Sequence, residues 1–371
     1  MIPVCEPYLS GNEEEYVLDA LREGWISSSG KYVTDFENEF ANYCGVKYGI
    51  ATCNGTLALQ LGLTALGMGR GDEVIIPNFT MIASASSVCN VGAKPIFVDA
   101  ERETWNIDTT KIEEKITDKT KAIMPVHIYG HPCDMDEINR ISKKHNLFIL
   151  EDAAEAHGSE INGKKCGSFG DLAAFSFYAN KTLTTGEGGI VVTDNDELAN
   201  KCKYFVNHCF SQDKEREFLH EDIGYNFRMS NLHAAIGLAQ VEMAEDYVDM
   251  RVYNHKLYQK ELEGVEGLTM QLELKGYKNS YWMNGVVIDQ SKFGIDAKKL
   301  TKLLKEDGVD TRPFFHGMNK QPSLKKYGCD CDGKYPVSDW LSENGFYLPS
   351  GSGLKDKEIK YVCDVIKRSG R

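Results

Sequence analysis

Leu147-Phe148-Ile149-Leu150-Glu151-Asp152-Ala153-Ala154-Glu155-Ala156-His157 consists of four apolar residues, two acids and a run dominated by alanine. A short apolar run bounded in this way reads as a buried strand, which puts Asp152 at its carboxyl end. An unpaired carboxylate is costly there, so Asp152 expects a cationic partner, and a protonated heterocycle nitrogen would serve. A helix N-cap or a structural salt bridge is the plain alternative for the same acid. His157 reads as either a packed histidine or a ring contact.

Outward from this strand, residues 46–189 alternate short β-branched runs with helix-like stretches. That is the pattern of an α/β core, a mainly parallel sheet covered on both faces. Strands are expected at 48–52, 73–77, 94–98, 122–126, 147–151, 173–177 and 189–193. Helices are expected at 56–66, 80–90, 108–116 and 134–145; in the first, Leu57, Leu61 and Ala65 recur with the helical period and Gly67 supplies a stop. A connector helix should run from Met229-Ser230-Asn231 to Leu257. Beyond it, a strand over 285–289 and helices over 298–306 and 357–367 suggest a smaller α+β unit, so that residues 1–245 and 246–371 form two domains.

Ligands of such sheets gather where strands end and helices begin. At Thr52-Cys53-Asn54-Gly55-Thr56 the glycine permits close backbone approach, and the following helix N-terminus suits a phosphate. Taken alone, the motif favours an ordinary N-cap. Phe175-Ser176-Phe177-Tyr178-Ala179-Asn180-Lys181-Thr182-Leu183-Thr184-Thr185-Gly186-Glu187-Gly188-Gly189 sets a lysine in a small-residue loop between two strands. Such a lysine becomes a Schiff-base nucleophile when its pKa is depressed, although spacing alone favours a solvated loop lysine. The run is not a G-x-x-x-x-G-K-[ST] phosphate loop, and no G-x-G-x-x-G follows the first strand. Gly224-Tyr225-Asn226-Phe227-Arg228-Met229-Ser230 is a polar turn whose Asn226 and Arg228 could hold an anion, or whose Ser230 or following Asn231 caps the connector helix.

Composition narrows the partners. With 42 basic against 55 acidic residues the net charge is −13, which argues against a nucleic-acid footprint. No apolar run approaches the ~20 residues of a membrane-spanning helix, and Met1-Ile2-Pro3-Val4-Cys5-Glu6-Pro7 has no signal-peptide character, so a cytoplasmic protein is expected. Eleven scattered cysteines point to reduced thiols rather than a disulfide framework. The one close pair, Cys329-Asp330-Cys331, has no histidine at ligand spacing, so a loop is favoured over zinc and no metal site is expected.

Taken together, Asn54-Gly55-Thr56, Pro77-Asn78-Phe79-Thr80, Glu151-Asp152-Ala153-Ala154-Glu155-Ala156-His157-Gly158, Ser176 with Lys181 in the glycine-threonine loop, and Gly224-Tyr225-Asn226-Phe227-Arg228-Met229 resemble the DegT/DnrJ/StrS sugar aminotransferases. The resemblance runs from the 3–11 opening to Pro349. Within that family, Trp25-Ile26-Ser27-Ser28-Ser29-Gly30-Lys31-Tyr32, Met124-Pro125-Val126-His127-Ile128-Tyr129-Gly130-His131 and Thr311-Arg312-Pro313-Phe314-Phe315 are similar to the GDP-perosamine synthases.

The resemblance implies an α/β fold of the aspartate aminotransferase-like type I class, with a mainly parallel seven-stranded sheet and a smaller α+β C-terminal domain. It implies pyridoxal 5'-phosphate as cofactor, pyridoxamine 5'-phosphate as its intermediate form, L-glutamate as amino donor and a nucleotide-linked 4-keto-6-deoxy sugar as acceptor. Lys181 would join the cofactor covalently, and Asp152 would pair with its ring nitrogen. Glu155 would lie near its phenolic oxygen, while Gly55, Thr56 and Ser176 would hold its phosphate. Asn226 would complete the phosphate site from a neighbouring subunit, which makes the active unit a homodimer, alone or within a tetramer. Arg312, His316, Asn319 and Lys320 would face the substrate.

Three features depart from the family pattern. Met81 stands where a tyrosine or tryptophan usually stacks on the cofactor, and Asn319 where perosamine synthases place histidine; residues 208–220 also differ. The rival acceptors are another nucleotide ketosugar or a small phosphorylated ketone. A sugar dehydratase of this fold would carry histidine in place of Lys181. A nicotinamide oxidoreductase would need a glycine fingerprint, and a non-catalytic regulator an added DNA-contacting module.

Overall fold

Successive apolar residues suit a strand only when both faces of its sheet are covered. The computed structural model, which describes residues 1–210 and 218–370, shows this in seven strands. They are β1 (Tyr48–Thr52), β2 (Glu73–Pro77), β3 (Lys94–Val98), β4 (Thr120–Ile123), β5 (Phe148–Asp152), β6 (Leu172–Ser176) and β7 (Gly189–Thr193). Their spatial order is β1-β7-β6-β5-β4-β2-β3. The pairs from β6 through β5 and β4 to β2 and β3 are parallel, whereas β7 is antiparallel to both β1 and β6. Only β7 is reversed, so the carboxyl ends of the other six strands and the start of β7 share one edge.

The period-two alternation of side chains divides the core between the faces. Val74, Ile76, Ala122, Leu150 and Val191 pack in one cluster with residues of α3 (Gly55–Ala65), α4 (Ile82–Asn90) and α6 (Asp196–Phe205). On the opposite face, Ile75, Ile123 and Ile149 meet α5 (Met135–His145), while Ile190 and Val192 meet α2 (Lys31–Cys44) and α7 (Asn231–Glu242). A four-stranded antiparallel sheet, ordered 268–270, 284–288, 345–348 and 312–313, shares a separate cluster with helices Ala297–Glu306 and Asp356–Ser369.

Three expected elements differ. Residues 108–116 form two 3-10 turns, Thr109–Lys111 and Glu113–Lys115, held by hydrogen bonds three residues apart such as Lys111 N–H to the Asp108 carbonyl. Asp108 caps the first through the Thr110 N–H, and only Ile112 of this stretch is fully buried, too little apolar stripe for an α-helix. The connector is two helices, α7 and α8 (Ala244–Glu261), separated at Met243, whose φ of −106° and ψ of 12° leave the helical region. The boundary expected at 245/246 falls in the first turn of α8. The strand expected over 122–126 lies over Thr120–Ile123, and Val126 makes an isolated bridge with Asp152. No helix among the described residues is long and apolar enough to cross a membrane.

Glu151 is a fully buried anchor beneath this edge. Its carboxylate accepts the N–H groups of Gly167, Phe169 and Gly170 at 2.9, 2.7 and 2.8 Å and meets His127 Nε2 at 3.0 Å. His127 Nδ1 accepts the Cys133 N–H at 3.0 Å, so its proton is assigned to Nε2. Burial opposes ionisation of Glu151, but the His127 bond and the backbone donors outweigh it and hold the carboxyl below its ordinary pKa. Glu151→Ala strands all of these donors, and chemical denaturation should show a loss of about 3–5 kcal/mol of stability.

Candidate active site

The shared strand edge brings four sequence motifs into one place. After β1, the Asn54 side chain accepts the Leu57 N–H at 3.0 Å and caps α3. A Cβ on Gly55 would come within 2.5 Å of the Ser176 Cβ at the end of β6, so only glycine permits this approach. At the end of β5, Asp152 is 4% exposed. Its carboxylate accepts Ser84 Oγ–H of α4 at 2.7 Å and the Ala154 N–H at 3.2 Å. Burial raises the Asp152 pKa; the Ser84 and Ala154 bonds and the Lys181 charge act against that rise.

Lys181 lies in the loop after β6, with its amine 3.6 Å from the centroid of the Trp282 ring. Enclosure lowers the pKa of this amine, Glu155 and Asp152 resist that effect, and the buried Arg251 cation assists it. Glu155 is shifted upward by burial against the pull of Lys181. It accepts the Tyr129 N–H at 2.7 Å, and Tyr129 holds a left-handed backbone with φ of 53°. A tyrosine seldom adopts that conformation, and here it aims a backbone donor at a cavity acid. His157 is packed among Phe40, Phe175 and Phe177, and burial keeps it well below its ordinary pKa.

A cavity of about 550 Å³ opens at this edge. Gly55, Thr56, Met81, Asp152, Glu155, Ser176 and Lys181, each singled out in the sequence, all line it. Asn226 is exposed and lies outside it. Arg312 pairs with Asp310, Lys320 lies 3.5 Å from Asp339, and His316 is exposed. Asn319 exchanges two hydrogen bonds with Asn78, at 3.1 and 2.9 Å. None of these four lines the cavity of the single chain. Of the divergent stretch 208–220, residues 211–217 lie outside the described residues.

Sequence reasoning missed the Trp282, Phe315 and Tyr347 walls of the cavity, and also Ser84, Tyr129 and Arg251 behind it. Ser84 had a local signal, a hydroxyl in the first turn of a helix that follows a strand end. Trp282 and Tyr347 had none, because each reaches the cavity from the four-stranded sheet region.

Comparison with known proteins decides the family. The model of the DegT/DnrJ/EryC1/StrS aminotransferase family matches residues 7–367. The chain belongs to this family. It is 43% identical over 366 residues to the GDP-perosamine synthase of Escherichia coli O157:H7, covering 98% of this chain and 97% of that one. It is 42% identical over 367 residues to the GDP-perosamine synthase of Caulobacter vibrioides, with 98% and 97% covered. The X-ray structure of an aminotransferase from Psychrobacter cryohalolentis superposes with a TM-score of 0.92 at 32% identity, covering 98% of this chain and 97% of that one.

This DegT/DnrJ/EryC1/StrS chain is a pyridoxal-phosphate-dependent aminotransferase. The cavity suits the cofactor. It offers an enclosed amine, a buried acid, a glycine cradle whose space a Cβ would fill, and the Thr56 and Ser176 side chains beside that cradle. Met81, 46% exposed, covers part of the cavity mouth.

Because enclosure lowers the Lys181 pKa, a larger neutral fraction exists near pH 8 than for a surface lysine. In cofactor-stripped protein, cyanate should carbamylate Lys181 with a pH midpoint below the ordinary lysine value, read by peptide mass spectrometry. A midpoint at or above that of exposed Lys302 contradicts this electrostatic reading.

Proposed function

We propose that the chain transfers the amino group of L-glutamate to C4 of a nucleotide-linked 4-keto-6-deoxyhexose, with GDP-4-keto-6-deoxymannose as first candidate acceptor. The observation that carries the proposal is Lys181 and Asp152 lining one cavity in a chain 43% identical, over nearly its whole length, to a GDP-perosamine synthase.

When bound, the cofactor supplies an electron sink that acidifies the donor's Cα–H. Lys181 anchors the cofactor and, once free and neutral, accepts that proton at Nζ; its lowered pKa supports this role near neutral pH. Asp152, oriented by Ser84 and the Ala154 N–H, would pair with the ring nitrogen and keep it protonated. Glu155, steadied by the Tyr129 N–H, would lie by the phenolic oxygen. Gly55, Thr56 and Ser176 would hold the phosphate, and Met81 would cover the ring, since all four line the cavity. Enclosure of these groups excludes water and strengthens every charge contact among them.

The exposed Asn226 completes the phosphate site of a second copy, so the working unit is a homodimer with shared sites. Arg312, His316, Asn319 and Lys320 belong to the nucleotide-sugar side of that assembled site. The reaction takes place in the cytoplasm, on the route to amino-sugar precursors of polysaccharides.

Lys181→Ala should abolish both the visible absorbance of covalently held cofactor and amino transfer, a loss of at least about 10²–10⁴-fold for the proton-transfer role alone. A panel of keto acceptors with product mass analysis should give an amino sugar from GDP-4-keto-6-deoxymannose. Turnover of small keto-phosphates alone would reassign the acceptor. Mixing Lys181→Ala with Asn226→Ala under subunit exchange should restore part of the activity that each lacks, because one of the two mixed sites is then intact. No recovery would refute the shared site.

A further inference from the structure

We propose that Trp282 is a positioning residue for amino transfer, its indole face receiving the Lys181 ammonium formed when that amine takes up a proton. The inference rests on Lys181 being the cofactor lysine, as proposed above.

The geometry is a closed clamp. The Lys181 Nζ stands 3.6 Å from the Trp282 ring centroid, well inside the ~6 Å reach of a cation–π contact. The indole N–H donates to the Asn180 carbonyl at 2.9 Å, one residue before the lysine. Arg251, only 2% exposed, donates to the Trp282 carbonyl at 2.7 Å and to the Lys181 carbonyl at 3.3 Å. It is held in turn by the Ser350 carbonyl at 2.9 Å and Ser352 Oγ at 3.2 Å. Tyr129 and Tyr347 flank the indole at 6.2 and 6.5 Å between ring centroids. The indole and the backbone of its lysine are therefore tied to one another on both sides.

The chemistry needs such a surface. When the donor's Cα–H bond breaks and an N–H bond forms on Lys181, the amine gains a full positive charge in an enclosed site. Burial and Arg251 oppose the charge, while Glu155 and Asp152 favour it; Cys5 is a further titratable neighbour. The negative face of the indole adds an attraction that exists for the ammonium and vanishes for the neutral amine. Unlike the Asp152 and Glu155 carboxylates, the indole stabilises the ammonium without itself being able to take its proton.

The test uses holoenzyme converted to its amino form with L-glutamate alone, in which Lys181 is free. Cyanate reacts with the neutral amine, so the pH midpoint of Lys181 carbamylation, read by peptide mass spectrometry, reports how well the ammonium is held. Trp282→Leu and Trp282→Met should each lower that midpoint by about one unit, which makes carbamylation below the midpoint about tenfold faster. The kcat should fall while the acceptor KM holds. Trp282→Phe keeps an aromatic face without the N–H and should stay near the parent midpoint. An unchanged midpoint in the Leu and Met variants, or an equal shift in the Phe variant, overturns the proposal. Thermal unfolding identifies any variant that fails to fold, and the remaining ones decide. Borohydride reduction of the parent holoenzyme must first label Lys181; absence of that label overturns the proposed function instead.

Discussion

An amine enclosed beside two buried carboxylates is the constraint around which this protein is arranged. Lys181, Asp152 and Glu155 cannot all be desolvated cheaply unless they share charge, and each one shifts the others. Burial pulls the lysine toward neutrality and both acids toward protonation, while their mutual attraction pulls the other way. The ring nitrogen and phenolic oxygen of a bound cofactor would add to this set of mutually shifted groups. Ser84, the Ala154 N–H and the Tyr129 N–H hold the two cavity acids in place.

Neighbouring acids at the end of β5 divide the labour because successive strand residues point to opposite faces. Glu151 turns toward His127 and the 167–170 backbone, where its hydrogen-bonding capacity is spent on structure. Asp152 turns toward α4 and the cavity. The same alternation separates the core clusters on the two faces, so one period-two pattern both builds the sheet and sorts a carboxylate spent on structure from one that lines the cavity.

Much of the fold was legible in the sequence. The β-branched runs placed the seven strands of the large sheet to within a few residues because both sheet faces are buried and local pattern and global packing agree. The 108–116 stretch was misread because its propensity favours a helix whereas only Ile112 finds a core to enter. The break at Met243 was hidden because Glu242-Met243-Ala244 carries no proline or glycine; only the Met243 backbone angles reveal it.

The sequence alone determined the strand-end motifs, and with them the acid, the lysine and the glycine cradle, since each needs a particular residue type at a local turn or terminus. Tertiary structure alone decided which aromatic rings close the cavity. Trp282, Phe315 and Tyr347 lie more than a hundred residues from Lys181 in the chain, and no local period relates them to it. Their placement follows from how the four-stranded sheet docks over the edge of the large one. It is a matter of long-range packing and of the buried Arg251 that ties Ser350, Trp282 and Lys181 together through their carbonyls.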